Sequence, residues 1–284
     1  MWKQKFALNI GKQFGEDLPA QLSLLKQCGF EGYFFTWNRE MDPKPIVEEG
    51  DRLGMTLQSI HAPFNKVKAL WDTDEDAAKD ALDELLECLR ACKELGAPIM
   101  VTHVYIGFKD FVPITETGLS RYRVLVEEAE RLGVKIAFEN TEGEEYLAAL
   151  MEAFKDSPAV GFCWDTGHEM CYNHSQDLLA LYGDRLLCTH LNDNLGISDF
   201  EGNIYYTDDL HLLPFDGIAD WDDIARRLDQ WNFDNFMTFE LKIAPTKTRF
   251  ENDYYRTLSL TDYLSECHKR ACRLAVKRKV HQAK

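Results

Sequence analysis

The chain has 284 residues, 45% hydrophobic and 28% charged, which is ordinary globular composition and excludes an intrinsically disordered chain. Its 32 Lys+Arg against 48 Asp+Glu give a formal charge of −16; residues 265–284 hold seven basic groups and one acid, so residues 1–264 stand at −22. A body that acidic repels phosphate backbones, and nucleic acid is therefore not an expected partner.

The opening segment, MWKQKFALNIGKQF, has no long apolar run and no small-residue cleavage site, so it does not read as a signal peptide. No segment approaches the roughly 18–20 consecutive apolar residues of a membrane span. Short apolar or β-branched runs then recur along the chain. They are Phe6–Ile10, Gly32–Trp37, Thr56–His61, Ile99–Tyr105, Lys135–Asn140, Val160–Asp165, Leu186–Leu191 and Phe236–Leu241. Most are nearly continuous in apolar character, as strands of a parallel sheet buried on both faces are. Helical patterns lie between them. In Asp74–Leu95, residues Ala78, Leu82, Leu85, Leu89 and Cys92 share a face; Ser120–Leu132 and Trp221–Trp231 behave alike. Gly29, Gly54, Gly96 and Gly133 each follow a helical run and precede a strand, the position of a left-handed helix-ending glycine. Eight β–α units without a Gly/Ser-rich linker predict one domain over residues 1–284. No phosphate-binding glycine loop follows the first strand, so a closed α/β (β/α)8 TIM barrel fits better than an open doubly wound sheet. The basic stretch from about residue 265 reads as a solvated final helix or frayed tail. The eight cysteines include no CxxC pair, and reduced, mostly buried thiols are expected, which suits a cytoplasmic protein.

Polar residues gather where the strands end. His61 ends the third strand in SIHAPF, His103 the fourth in VTHVY and Glu139 the fifth in AFENTEG, and Asp165 and His168 lie in FCWDTGH at the end of the sixth. His190 ends the seventh strand in CTHLNDN, Glu240 the eighth in MTFELK, and Asp209 and His211 lie in the adjoining loop. Each has a plain structural explanation alone: a satisfied histidine, a helix-entry carboxylate, or an Asp165 N-cap. Together they are harder to explain, because all strand ends of a barrel open onto one face and so many ionisable groups in one mouth need a cation or mutual pairing to compensate their burial, a divalent metal being the simplest. Glu139, Asp165, His190 and Glu240 offer three carboxylates and one imidazole, suited to one divalent ion: Mn²⁺, Co²⁺, Mg²⁺ or Zn²⁺. Such an ion can polarise a substrate carbonyl, with Glu139 and Glu240 flanking a sugar carbon. Trp37, Tyr105, Phe108 and Trp164 are candidate apolar walls of the substrate pocket.

At these residues the sequence resembles the xylose-isomerase-like barrel superfamily, in particular its sugar phosphate isomerase/epimerase branch, from about residue 5 to 265. The motifs that carry the likeness are SIHAPF, AFENTEG, GFCWDTGHEM, CTHLNDN, DLHLLPFDGIADW and TFELK. The resemblance implies a metal held by Glu139, Asp165, His190 and Glu240, the two glutamates serving as the acid/base pair, and substrate contacts from His61 and His168. It implies a sugar or sugar-phosphate isomerase or epimerase working by proton abstraction next to a carbonyl, through a cis-enediolate. A keto-inositol dehydratase would use the same machinery. The superfamily also includes abasic-site endonucleases, whose three-zinc constellation draws in addition on residues matching His61, His103, His168, Asp209 and His211. The acidic loops after strands 2 and 7 rank that activity second. A non-catalytic binder, which has no need of two opposed carboxylates, ranks third. A small-molecule sugar partner and no membrane are expected, with a homo-oligomer compatible. One departure stands out: Phe215-Asp216-Gly217 occupies a loop where isomerase-branch relatives often read Gly-Glu-Gly.

Overall fold

The computed structural model describes residues 4–15, 17–108, 110–243 and 249–278. Its strands are β1 (Phe6–Asn9), β2 (Gly32–Thr36), β3 (Thr56–His61), β4 (Ile99–His103), β5 (Lys135–Glu139), β6 (Val160–Asp165), β7 (Leu186–His190) and β8 (Met237–Phe239). They pair in parallel from β1 to β7 in chain order, and β8 pairs with β1. The remaining seam is closed by a parallel Leu191–Phe239 bridge, with the Leu191 N–H donating to the Thr238 carbonyl at 2.8 Å. This is the (β/α)8 barrel that the alternation predicts. β8 is shorter than expected. Past Phe239 the neighbour is not a strand but the Asn9 side chain, which bonds the Leu241 carbonyl at 3.0 Å and its N–H at 2.9 Å.

The helices are α1 (Leu18–Cys28), α2 (Lys44–Leu53), α3 (Glu75–Leu95), α4 (Glu116–Leu132), α5 (Glu144–Ala153), α6 (Thr166–Cys171), α7 (Leu178–Tyr182), α8 (Trp221–Gln230) and α9 (Leu260–Ala275). Gly29, Gly54, Gly96 and Gly133 end α1 to α4 in the left-handed conformation. α4 starts four residues before Ser120 because the Thr115 side chain accepts the Gly118 N–H and caps it. The basic C-terminal stretch is, in its described part, no solvated tail. α9 buries Tyr263, Leu264, Cys267, Ala271 and Leu274 against the barrel, and Arg278 beyond it bonds Asp229 at 2.7 Å and the Phe233 carbonyl at 2.6 Å. Residues 279–284 lie outside the described residues.

Strand alternation sorts side chains into two layers. Met100, Ile136, Phe138, Phe162 and Trp164 point outward and pack with the helices. Ile99, Val101, Ala137, Cys163 and Cys188 form a separate small core inside the barrel. All eight cysteines are unpaired and six are buried. Among the described residues no helix is long and apolar enough to cross a membrane.

Candidate metal centre

Glu139, Asp165 and His190 stand at the carboxyl ends of β5, β6 and β7, one inward step above the small inner core, and Glu240 follows β8. Donor atoms of these four residues lie within 4.8 Å of one another. Three more groups meet the same distance: His61 with His103 and Glu139, His168 with Asp209 and His211, and Glu139 with His190 and the Cys163 thiol. Glu139 is the hub. Its Oε1 lies 2.7 Å from His190 Nδ1, and its Oε2 lies 3.1 Å from Nε2 of both His61 and His103. His190 Nδ1 is also 3.2 Å from Glu240 Oε2.

Hydrogen-bond chemistry indicates what such a cluster holds. Nδ1 of His61 sits 2.7 Å from the Ala62 carbonyl, Nδ1 of His168 2.9 Å from that of Asn140, and Nδ1 of His211 3.1 Å from that of Glu240. A carbonyl only accepts, so each of these nitrogens carries the proton. The Nε2 atoms then face carboxylate oxygens: His61 faces Glu139 at 3.1 Å, His168 faces Asp209 at 3.5 Å, and His211 faces Asp209 at 2.8 Å. Two acceptors need a cation between them, either a second proton on the ring or a metal ion. Five imidazoles and four carboxylates, with backbone carbonyls fixing the tautomers of three rings, fit a divalent-ion site.

Among the side chains themselves the balance favours protons. Burial depresses the His190 imidazolium, but Glu139 and Glu240 outweigh it and hold it well above the usual range. Burial likewise opposes the His168 charge, which Asp165 and Asp209 raise well above the usual range. His211 is carried to about 9 by Asp209 and Glu240 against burial. Burial pushes Asp165 up to about 6 despite His168 and His211. Burial also opposes the Glu240 charge, yet His190 and His211 bring that group down to about 2. His103 goes the other way: burial lowers it to about 4 against the pull of Glu139.

A cavity of about 610 Å³ opens over this cluster, lined by Phe34, Trp37, His61, Phe64, His103, His168, Asp209, His211 and Glu240 among others. Trp37 is therefore on the wall. Tyr105 and Trp164 are not, and the reading of both as pocket walls is corrected. Asp165 points into the barrel, so its strand neighbour Trp164 points out, fully buried, with its indole N–H on Glu169 at 2.9 Å and Arg227 over its ring. Tyr105 is stacked on Tyr146 of α5 at 4.1 Å. Phe108 packs edge-on against Tyr172. The two glutamates differ in access: Glu139 is 0% exposed beneath the histidines, whereas Glu240 reaches the cavity.

Several residues in the site carry no role in the sequence reading. Asn192, inside the HLNDN motif, donates to both Asp165 oxygens at 3.1 and 2.9 Å, and Asn140 brackets the Asp165 backbone at 2.9 and 2.8 Å. Asp193 of the same motif ties down the following loop through the Phe215 N–H (2.8 Å), the Ala219 N–H (3.0 Å) and the Trp221 indole (2.7 Å). Phe215 holds φ 76, a left-handed conformation natural to glycine, while its ring packs between Trp221 and Arg273. Asp216 turns away from the cavity to Arg270 (2.8 Å) and Tyr255. In this chain the left-handed turn of the loop is thus made by Phe215, and the acid beside it is paired away from the cavity.

Residues 22–258 match the family model described as xylose isomerase-like TIM barrel. The uncharacterized protein y4fM of Sinorhizobium fredii (strain NBRC 101917 / NGR234) is 33% identical over 301 residues, spanning 92% of this chain and 89% of the relative. The probable endonuclease 4 of Cenarchaeum symbiosum (strain A) is 26% identical over 160 residues, 47% of this chain and 54% of that protein. A xylose isomerase-like TIM barrel/4-hydroxyphenylpyruvate dioxygenase fusion protein superposes with a TM-score of 0.76 at 16% identity, over 99% of this chain but only 44% of the other. The IOLI protein with a bound zinc atom gives 0.75 at 18% identity, covering 96% of this chain and 98% of the other. An L-ribulose 3-epimerase gives 0.71 at 13% identity, covering 97% and 94%. At these identities the structures establish the fold.

Proposed function

The chain belongs to the xylose isomerase-like TIM barrel family, and from that premise we propose that it is a divalent-metal-dependent isomerase or epimerase of a sugar or sugar phosphate. The observation that carries this reading is the cavity of about 610 Å³, the size of a small-molecule site, opening directly over a four-donor group with Glu240 on its wall. The likeness to an L-ribulose 3-epimerase supports the substrate class. Glu139, Asp165, His190 and Glu240 would hold one ion, which when bound polarises a substrate carbonyl and acidifies the adjacent C–H. Glu240 takes that proton while the C–H electron pair moves toward the carbonyl and leaves an enediolate. Return of a proton to the neighbouring carbon gives an isomer, and return to the opposite face gives an epimer. Glu139 is the second acid/base, linked to the cavity through His61, 3.1 Å away. His61, His103, His168, Asp209 and His211 bind hydroxyls, and Phe34 and Trp37 form the apolar wall. Loss of a hydroxyl after the same proton abstraction would make a dehydratase. The unpaired cysteines support a cytoplasmic location.

The test is deuterium incorporation next to the carbonyl when ketoses are incubated in D₂O with Mn²⁺. Exchange should need the metal, and Glu139→Gln and Glu240→Gln should each lower turnover by more than the ~10²–10⁴-fold typical of a general base. Full activity in either variant would sink the two-glutamate reading.

One observation favours a second reading. The His61/His103/Glu139 and His168/Asp209/His211 groups flank the four-donor set and share Glu139 with it or sit on its rim, as a three-ion phosphodiesterase site would require. The partial match to the probable endonuclease 4 supports the same chemistry. Metal stoichiometry separates the two: one ion per chain favours the sugar enzyme, and three zinc ions with metal-dependent incision of abasic DNA favour the phosphodiesterase.

A further inference from the structure

Two lysines, Lys12 and Lys242, line the same cavity as Glu240. Neither has an ion pair or side-chain hydrogen bond with another described residue, although acids outnumber bases by 16 in this chain. Lys12 is exposed and Lys242 half-buried, so each ammonium is open to an anionic group of a ligand held in the cavity. Both lysines stand on backbone that is fastened in place. Lys12 lies in a 3-10 turn (Lys12–Phe14), whose loop is clamped by buried Gln21: its Nε2 donates to the carbonyls of Gly11 (3.1 Å) and Gly15 (2.8 Å), and its Oε1 accepts the Gly11 N–H at 3.1 Å. The segment carrying Lys242 is held by Gln13, which bonds the Leu241 carbonyl at 3.0 Å and the Ile243 N–H at 2.9 Å. The Lys242 N–H itself donates to the His211 carbonyl at 3.1 Å. Gln13 thus ties the Lys12 turn to the Lys242 segment, and both lysines belong to one braced part of the cavity wall. Lys242 follows Glu240 by two residues, so their backbone positions lie within about 7 Å of each other on the same stretch of cavity wall.

We propose that Lys12 and Lys242 form a binding site for the terminal phosphate of the substrate, so that the enzyme acts on a sugar phosphate with its carbonyl end toward Glu240. This rests on the isomerase/epimerase reading for its orientation, and its test needs no turnover. Binding of D-glucitol 6-phosphate and of D-glucitol to the Mn²⁺-loaded protein is measured by calorimetry, in the wild type and in Lys12→Met and Lys242→Met, which keep the aliphatic stems. The phosphorylated polyol should bind at least about tenfold more tightly. Each variant should lose most of that advantage while binding D-glucitol as before, and added salt should erode the advantage. Equal affinity for the two polyols would overturn the proposal. So would a preference that survives in both variants but vanishes when the metal is chelated, since the phosphate would then sit on the metal cluster. A lysine-dependent preference without deuterium exchange on any ketose would leave the phosphate site standing and remove the isomerase reading.

Discussion

At the scale of single residues, the site depends as much on groups behind the donors as on the donors. Asn192 donates to both oxygens of Asp165, which fixes the carboxylate plane. Replacing such a partner typically weakens metal binding about 10–100-fold, so Asn192→Ala should lower Mn²⁺ affinity by that order in a titration, with the far-ultraviolet spectrum unchanged. Gly167 belongs to the same device, because a Cβ there would collide with the Asn192 amide oxygen. Protonation supplies a second prediction. His190, one of the four donors, is held well above its usual range, and its neighbours His211, at about 9, and His168, well above its usual range, add positive charge beside it, so near neutrality these rings hold protons that oppose metal binding. Raising the pH through the folded values removes those protons and removes the competitor. Metal affinity should therefore rise steadily from pH 6 toward pH 9, and the calorimetric enthalpy should follow the ionisation enthalpy of the buffer. A flat affinity over that interval would contradict the proton competition.

Helices and strands obey local rules whose failures are informative. Gly133 ends α4 at φ 69 with open space where a Cβ would go, so Gly133→Ala meets only the left-handed backbone penalty. The expected loss is about 1 kcal/mol in a urea unfolding experiment. Gly118, in the first turn of the same helix, is a different case. Alanine is the better helix former there, yet a Cβ would strike the Trp71 ring, which packs under that turn. Gly118→Ala should cost more than Gly133→Ala, on the order of 1–3 kcal/mol as for other overpacked sites. The reverse ranking would mean that propensity outweighs packing at this contact.

Over the whole molecule, charge and enclosure act together. The body stands at −22, and the acidic segment that contains Asp199, Glu201 and Asp208 leads into Asp209 on the wall of a cavity of small-molecule size. The protein should therefore have no measurable affinity for abasic DNA at about 0.15 M salt, where the screening length is near 8 Å. Metal-dependent incision of that DNA at enzyme-like rates would overturn the ranking of the two readings. Metal occupancy should also stabilise the fold, because the donors come from β5, β6, β7 and the segment after β8 and converge only in the native state. Mn²⁺ added to chelated protein should raise the melting temperature, and Asp165→Asn should remove most of that rise while leaving the chelated protein folded.

Local chemistry was enough to read much of this from the chain. The eight strands, the four glycine caps and the strand-end positions of Glu139, Asp165 and His190 follow from short-range patterns, and a barrel brings all strand ends to one face whatever their order in sequence. The side of a strand was also legible in principle: with Asp165 inside, Trp164 has to face the helices, and its role as a pocket wall was excluded by alternation alone. Other features were settled only by packing. Glu139 lies under His61 and His103 while Glu240 meets the cavity. Lys12 and Lys242, 230 positions apart, share one rim through Gln13. Phe215 takes a glycine's backbone because Trp221 and Arg273 hold its ring. Periodicity and caps are decided within a few residues and can be read in one dimension. Depth, access and the pairing of distant side chains depend on how separate loops fill one volume, and that exists only once the barrel has closed.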